Sequence, residues 1–200
     1  MEKQTNNVEQ TTAKKVELRR WYIQDKEAFM RINDSVDSTY DDHFVGYPCS
    51  VDEAINWIMF MVDKEFDGGG MYRAILIDGV IKGLVSVSFT EGNHWVDGSL
   101  GIMMMPESCG KGIATQAVKL MVDEVFSKTP IERISSVVYE PNIASARVLE
   151  KNGFVLEGRK ANAVKSKGVV YNTLLYGLLR ETTGRNYIGD MQKTSINQLK

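Results

Sequence analysis

Cysteine is nearly absent from this sequence. Two occur in 200 residues, Cys49 and Cys109, too few for a disulfide framework. Histidine is as scarce, with His43 and His94 far apart, and no Cys/His grouping has the spacing of a metal site. No apolar run approaches the roughly 18 residues of a membrane span. The opening "MEKQTNNVEQTTAKK" carries no hydrophobic stretch, so no signal peptide is expected and a cytoplasmic location is. Charge of one sign is also missing: 24 Lys and Arg stand against 26 Asp and Glu, a net of -2. That balance gives no general pull toward nucleic acid. The remaining composition, 43% hydrophobic and 25% charged, is that of one globular domain with a proper core.

What is present is periodic. Residues 1–15 read as a polar, disordered tail and residues 181–200 as a second polar tail, leaving 16–180 for the domain. "VELRRWYI" (Val16 to Ile23) reads as a strand and "DKEAFMRIND" as a short helix. "SVDEAINWIMFMVDKEF" predicts a longer helix, with Ser50 as N-cap, Glu53 completing a capping box, and a stripe of Ala54, Ile55, Ile58, Met59 and Val62. "DGGG" ends it. Asp78-Gly79 between two β-rich runs is a hairpin signal. After a turn at "TEGNH", "WVDGSLGIMMM" reads as a further strand.

A helix then follows Gly112, with Ala114, Ala117, Val118, Met121 and Val125 on one face, and stops before Pro130. "RISSVVYE" is a strand. "NIASARVLEKNGF" is a helix between Asn142 as N-cap and Gly153 as stop. The last strands begin at Phe154, with "NAVKSKG" as a hairpin loop before "VVYNTLLYGLL". The order implies an α+β fold: a mixed sheet, helices on both faces, and a parallel element in the second half.

The segment "MPESCGKGIATQAV" poses the functional question. A glycine-rich turn between a strand and a helix brings backbone N–H groups close to phosphate. A Walker A loop would need glycine where Met105 stands and Ser or Thr where Gly112 stands, so that reading fails twice. A dinucleotide fingerprint half fits Gly110, Gly112 and Thr115, but "PES" separates them from the strand. Glycines serving only a turn are the plain structural alternative.

The same segment resembles the acyl-CoA loop of the GCN5-related N-acetyltransferases, the GNAT superfamily. Its Gln/Arg-x-x-Gly-x-Gly/Ala motif is matched by Cys109-Gly110-Lys111-Gly112-Ile113-Ala114, with Cys109 in place of the long first side chain. "NIASARVLEKNGF" resembles the second CoA-side motif. "SLGIMMMPE", "GFVLEG" and "YNTLLYGLL" resemble the RimJ/RimL branch, the ribosomal-protein N-terminal acetyltransferases. The resemblance spans about Val16 to Arg180. It implies the GNAT fold and acetyl-CoA as cosubstrate, with Gly110 to Ala114 holding the pyrophosphate. It also implies that Ile102, Met103 and Met104 offer backbone to the pantetheine arm and an oxyanion donor, beside Asn142 and Ser145.

Acetyl transfer from a thioester needs the cofactor held, the carbonyl polarised, the amine neutral and the thiolate protonated. The tyrosine that protonates the thiolate in many members is Leu149 here, so the resemblance puts Ser145 in that role. The glutamate expected as base in RimL-type members is Val164 by ungapped alignment. Asp97, Glu91 and Glu157 are the carboxylate candidates and His94 a candidate relay; each also reads as an ordinary turn or strand-edge group. The expected acceptor is a peptide N-terminus, ribosomal by resemblance. A small amine such as a polyamine or aminoglycoside, and a CoA-binding module without turnover, are the alternatives. The apolar "VVYNTLLYGLL" reads as a surface needing cover, which with the resemblance implies a homo-oligomer.

Overall fold

The computed structural model describes residues 15–35, 50–90 and 97–180. Its elements run β1 (Val16–Arg19), α1 (Lys26–Ser35), α2 (Val51–Phe66), β2 (Gly70–Ile77), β3 (Val80–Phe89) and β4 (Asp97–Met104). They continue with α3 (Ile113–Lys128), β5 (Arg133–Tyr139), α4 (Ile143–Lys151), β6 (Val155–Ser166) and β7 (Val169–Leu179). One seven-stranded sheet has the order β1-β2-β3-β4-β5-β7-β6. All its pairs are antiparallel except β4 with β5. This is the mixed α+β architecture the sequence implies. The tails, Cys49, His43, Glu91 and His94 lie outside the described residues.

Both faces of the sheet are covered. One core sets Val85, Val87 and Leu100 of the sheet against Val118, Met121 and Val125 of α3 and Leu149 of α4. The other packs Phe29 and Ile32 of α1 and Ala54 and Ile58 of α2 against Ala74, Leu84 and Met103. Alternation along each strand divides the two cores. In α3, Val122 joins the predicted face while Ala114 is only half-buried. Buried Arg73 reaches across from β2 to Glu65 of α2 (2.7 Å) and Glu124 of α3 (2.9 Å).

Local signals read from the sequence recur here. Ser50 and Glu53 form the capping box of α2, with Glu53 N–H donating to Ser50 Oγ at 3.2 Å, a cap worth about 1 kcal/mol. Asp78 and Gly79 turn β2 into β3 with φ of 50° and 80°, the left-handed pair a two-residue hairpin requires.

Three expectations are corrected. The first strand ends at Arg19, because Trp21 turns into the α1 core and meets Phe29 edge-on at 5.6 Å. In α2 the core takes Ala54, Ile58 and Met61, while Met59 and Val62 remain 46% and 47% exposed; the apolar arc is wider than the sheet surface that receives it. "NAVKSKG" is not a loop: β6 continues to Ser166, takes up a bulge between Lys160 and Val164, and turns at Lys167-Gly168. The segment "VVYNTLLYGLL" is β7, paired on both sides by β5 and β6. Val169, Val170 and Leu175 on this strand remain exposed.

Candidate active site

The site follows from where β4 and β5 part. Their parallel pairing covers only Asp97–Ser99 with Arg133–Ser135. Along β4, Asp97 O accepts from Thr90 N–H and Met105 N–H donates to Lys82 O. Odd-numbered residues therefore turn their amides toward β3, and even-numbered ones toward β5. Beyond the last rung, Ile102 and Met104 present N–H and C=O to a widening gap. Met103, grouped with them on the sequence, differs: its backbone pairs with Leu84 of β3 and its side chain is buried under α1 and α2.

A helix starts from each diverging strand. After β4, a 3-10 turn at Pro106–Ser108 leads through Gly110 (φ 73°) to Gly112 (φ 75°), the N-cap of α3. Gly112 has no side chain to cap the helix, and no acidic residue stands in its first turn. The N–H groups of Ile113, Ala114 and Thr115 thus have no intrahelical partner, and the dipole of a 16-residue helix points its positive end outward. A Cβ at Gly110 or Gly112 would meet nothing within 4 Å, so the approach is open. Cys109 contributes differently, since its N–H is bonded to Pro106 O at 3.1 Å. Lys111 Nζ donates to Glu107 O at 2.6 Å, which places its side chain beside the loop.

After β5, Asn142 caps α4 by accepting from Ser145 N–H at 3.1 Å. The half-buried Ser145 keeps its hydroxyl in the first turn of that helix. At the far end of α4, Asn152 Nδ2 donates to Val148 O (2.8 Å) and to Thr115 O in the first turn of α3 (3.2 Å). Asn152 was missed on the sequence, although its place in the second motif was the available signal. This amide fixes α4 against the loop glycines.

The carboxylates near the open end all have partners among the described residues. Glu107 pairs with Lys82 at 2.9 Å, Glu140 with Arg159 and with Asn172 (2.6 Å), and Glu150 accepts from Tyr176 at 3.0 Å. Lys82 holds the Glu107 carboxyl below its ordinary value, and Arg159, helped by Asn172, does the same to Glu140. Asp97 sits at the closed end, with Oδ2 accepting from Ser135 at 3.2 Å and Arg133 Nε 3.9 Å from Oδ1. Five residues of strand, roughly 16 Å, separate it from Ile102. Glu157 is bound to Arg133 at that same end. Val164 lies in β6 opposite Tyr171, and Leu149 is buried in the core.

Open strand amides beside an uncapped helix start can take a peptide-like chain that ends in phosphates. Comparison with known proteins places the chain among acetyltransferases. The chain is 37% identical over 90 residues to the "Probable N-acetyltransferase YjcK" of Bacillus subtilis (strain 168), which covers 45% of this chain and 44% of that protein. It is 28% identical over 142 residues to the spermidine N(1)-acetyltransferase of Escherichia coli (strain K12), over 70% of this chain and 62% of that one. The solved structure of RimL, a ribosomal α-N-protein acetyltransferase in complex with coenzyme A, superposes with a TM-score of 0.75. It is 20% identical, over 82% of this chain and 93% of that one. Residues 15–155 match the acetyltransferase (GNAT) domain, and the chain accordingly belongs to the GNAT family of acetyl-CoA-dependent N-acetyltransferases.

Proposed function

We propose that this protein moves the acetyl group of acetyl-CoA to the α-amine of a protein N-terminus, with ribosomal proteins as the acceptor class. In this reading the N–H groups of Gly110 to Ala114 hold the pyrophosphate, with Lys111 adding charge. The backbone of Ile102 and Met104 takes the pantetheine arm as an added strand, and Ile102 N–H is the first free donor for the oxyanion. The neutral amine attacks the thioester carbonyl, the C–S bond breaks, Ser145 gives its hydroxyl proton to the leaving thiolate, and the proton lost by the new amide nitrogen returns to Ser145 through solvent.

The observation that carries the acceptor class is the state of the carboxylates. A general base working near neutrality needs a pKa close to 7, yet Glu107 and Glu140 are both held low. An α-amine, with a pKa of about 7.7–8.0, is already neutral to roughly a tenth at pH 7, whereas a side-chain amine near 10.4 is neutral in about four molecules per ten thousand. Among the described residues no carboxylate at the open end is held near neutrality, and a site served only by these favours the α-amine. The likeness to RimL supports the same acceptor, while the spermidine relative supports a polyamine as the second reading.

Competition decides between them. Peptides with a free N-terminus compete against the same peptides blocked there but carrying lysine, and against spermidine. The free N-terminus is expected to show the highest kcat/KM; higher values for lysine or spermidine would reject the α-amine reading.

A further inference from the structure

Ser136 lies one step past the last rung that joins β4 to β5. In β5 the even-numbered residues turn their backbone toward β7, as Arg180 N–H to Glu132 O and Glu140 N–H to Asn172 O show. The backbone of Ser136 therefore serves the Ser136–Tyr176 pair, and its side chain alone reaches β4. That side chain is 7% exposed, and its hydroxyl donates to Leu100 O at 3.1 Å. In a continued parallel ladder this carbonyl would accept from Val137 N–H instead.

We propose that Ser136 is a positioning residue for acetyl transfer: its hydroxyl takes the Leu100 carbonyl, ends the ladder there, and so sets where the gap for the acetyl thioester begins. The inference rests on the cofactor seat proposed above. Two physical effects follow. The ladder cannot close by another rung, so Ile102 N–H stays free for the thioester oxygen. The Leu100 carbonyl, which would otherwise turn a bare lone pair toward the bound thioester oxygen, is occupied by a hydrogen bond.

Valine and threonine at this position have nearly equal volume and differ in the hydroxyl. Ser136→Val is expected to raise KM for acetyl-CoA about tenfold, the scale of one net hydrogen bond, with KM for the amine nearly unchanged. Ser136→Thr is expected to stay near wild type. Ser136→Ala, which adds no volume, should follow the valine variant. KM, which does not depend on how much of the enzyme is folded, is measured beside a melting curve, because a purely structural serine would shift Tm and leave KM alone. Equal KM values for the threonine and valine variants, or an alanine variant with wild-type KM, would overturn the proposal. Coenzyme A affinity of Gly112→Asp serves as the control. If it falls while threonine and valine coincide, the Ser136 inference alone is wrong; if it is unchanged, the seat and the inference fall together.

Discussion

The closed and open ends of the β4–β5 pair handle polar groups in opposite ways. At the closed end Asp97, Ser135, Arg133 and Glu157 turn to one another, and the strands exchange backbone hydrogen bonds. At the open end the same two strands leave amides of Ile102 and Met104 facing a gap, next to an uncapped helix. Charged side chains pair with one another at the closed end, while the cofactor seat proposed at the open end rests mainly on backbone and on small residues. A search for a catalytic carboxylate that starts from Asp97 or Glu157 is thus drawn to the end opposite the proposed cofactor seat.

The largest effect is expected at the helix start. Gly112→Asp puts a carboxylate where the phosphates approach and should weaken coenzyme A binding about a thousandfold, the size of a charge repulsion at intermediate dielectric. Gly112→Asn has the same backbone cost at φ 75° without the charge, and calorimetry should show it binding far better. Unchanged affinity in a folded Gly112→Asp protein would remove the open end from the cofactor site.

Ser145→Ala should lower kcat by roughly a hundredfold, within the range of general-acid contributions, and leave coenzyme A affinity unaltered. Steady-state rates beside binding measurements check it. A fully active variant would reduce Ser145 to its place in the first turn of α4.

Away from both ends, where Glu124 of α3 pairs with buried Arg73 of β2, Glu124→Gln should cost about 2 kcal/mol, between an exposed pair and a fully buried one. Burial pushes the Glu124 carboxyl up, but Arg73 and Lys128 outweigh it and hold it below its ordinary value. Its contribution is therefore full above the unfolded carboxyl range, near pH 4.3, and is lost as pH falls through the lower folded value. Melting curves should show the gap between wild type and Glu124→Gln closing below about pH 4. A gap that widens on acidification would contradict this sign.

The smallest effect belongs to Asp97. Asp97→Asn should change kcat/KM by less than about threefold, the reach of a surface-type pair some 16 Å from the gap, and should keep the pH–rate profile. Loss of the acidic limb of that profile would bring Asp97 back as the base.

The sequence by itself determined the local elements and the two cofactor-side motifs. Ser50, Asp78-Gly79, Gly112 and Asn142 act within a few residues of themselves, through capping and φ preference, so their consequences are legible in one dimension. Tertiary structure alone decided which half of a wide apolar arc enters the core, as with Met61 against Met59 in α2. It also decided that Met103 faces β3 while Ile102 and Met104 face the gap, that Asn152 and Ser136 act across elements, and that Asp97 and Glu157 meet Arg133. The contacts of Asn152, Ser136 and Arg133 depend on partners 24 to 37 residues away, and the facing of Met103 on strand register. No local periodicity carries that information, because a shift of one residue in register turns every amide and side chain to the opposite side.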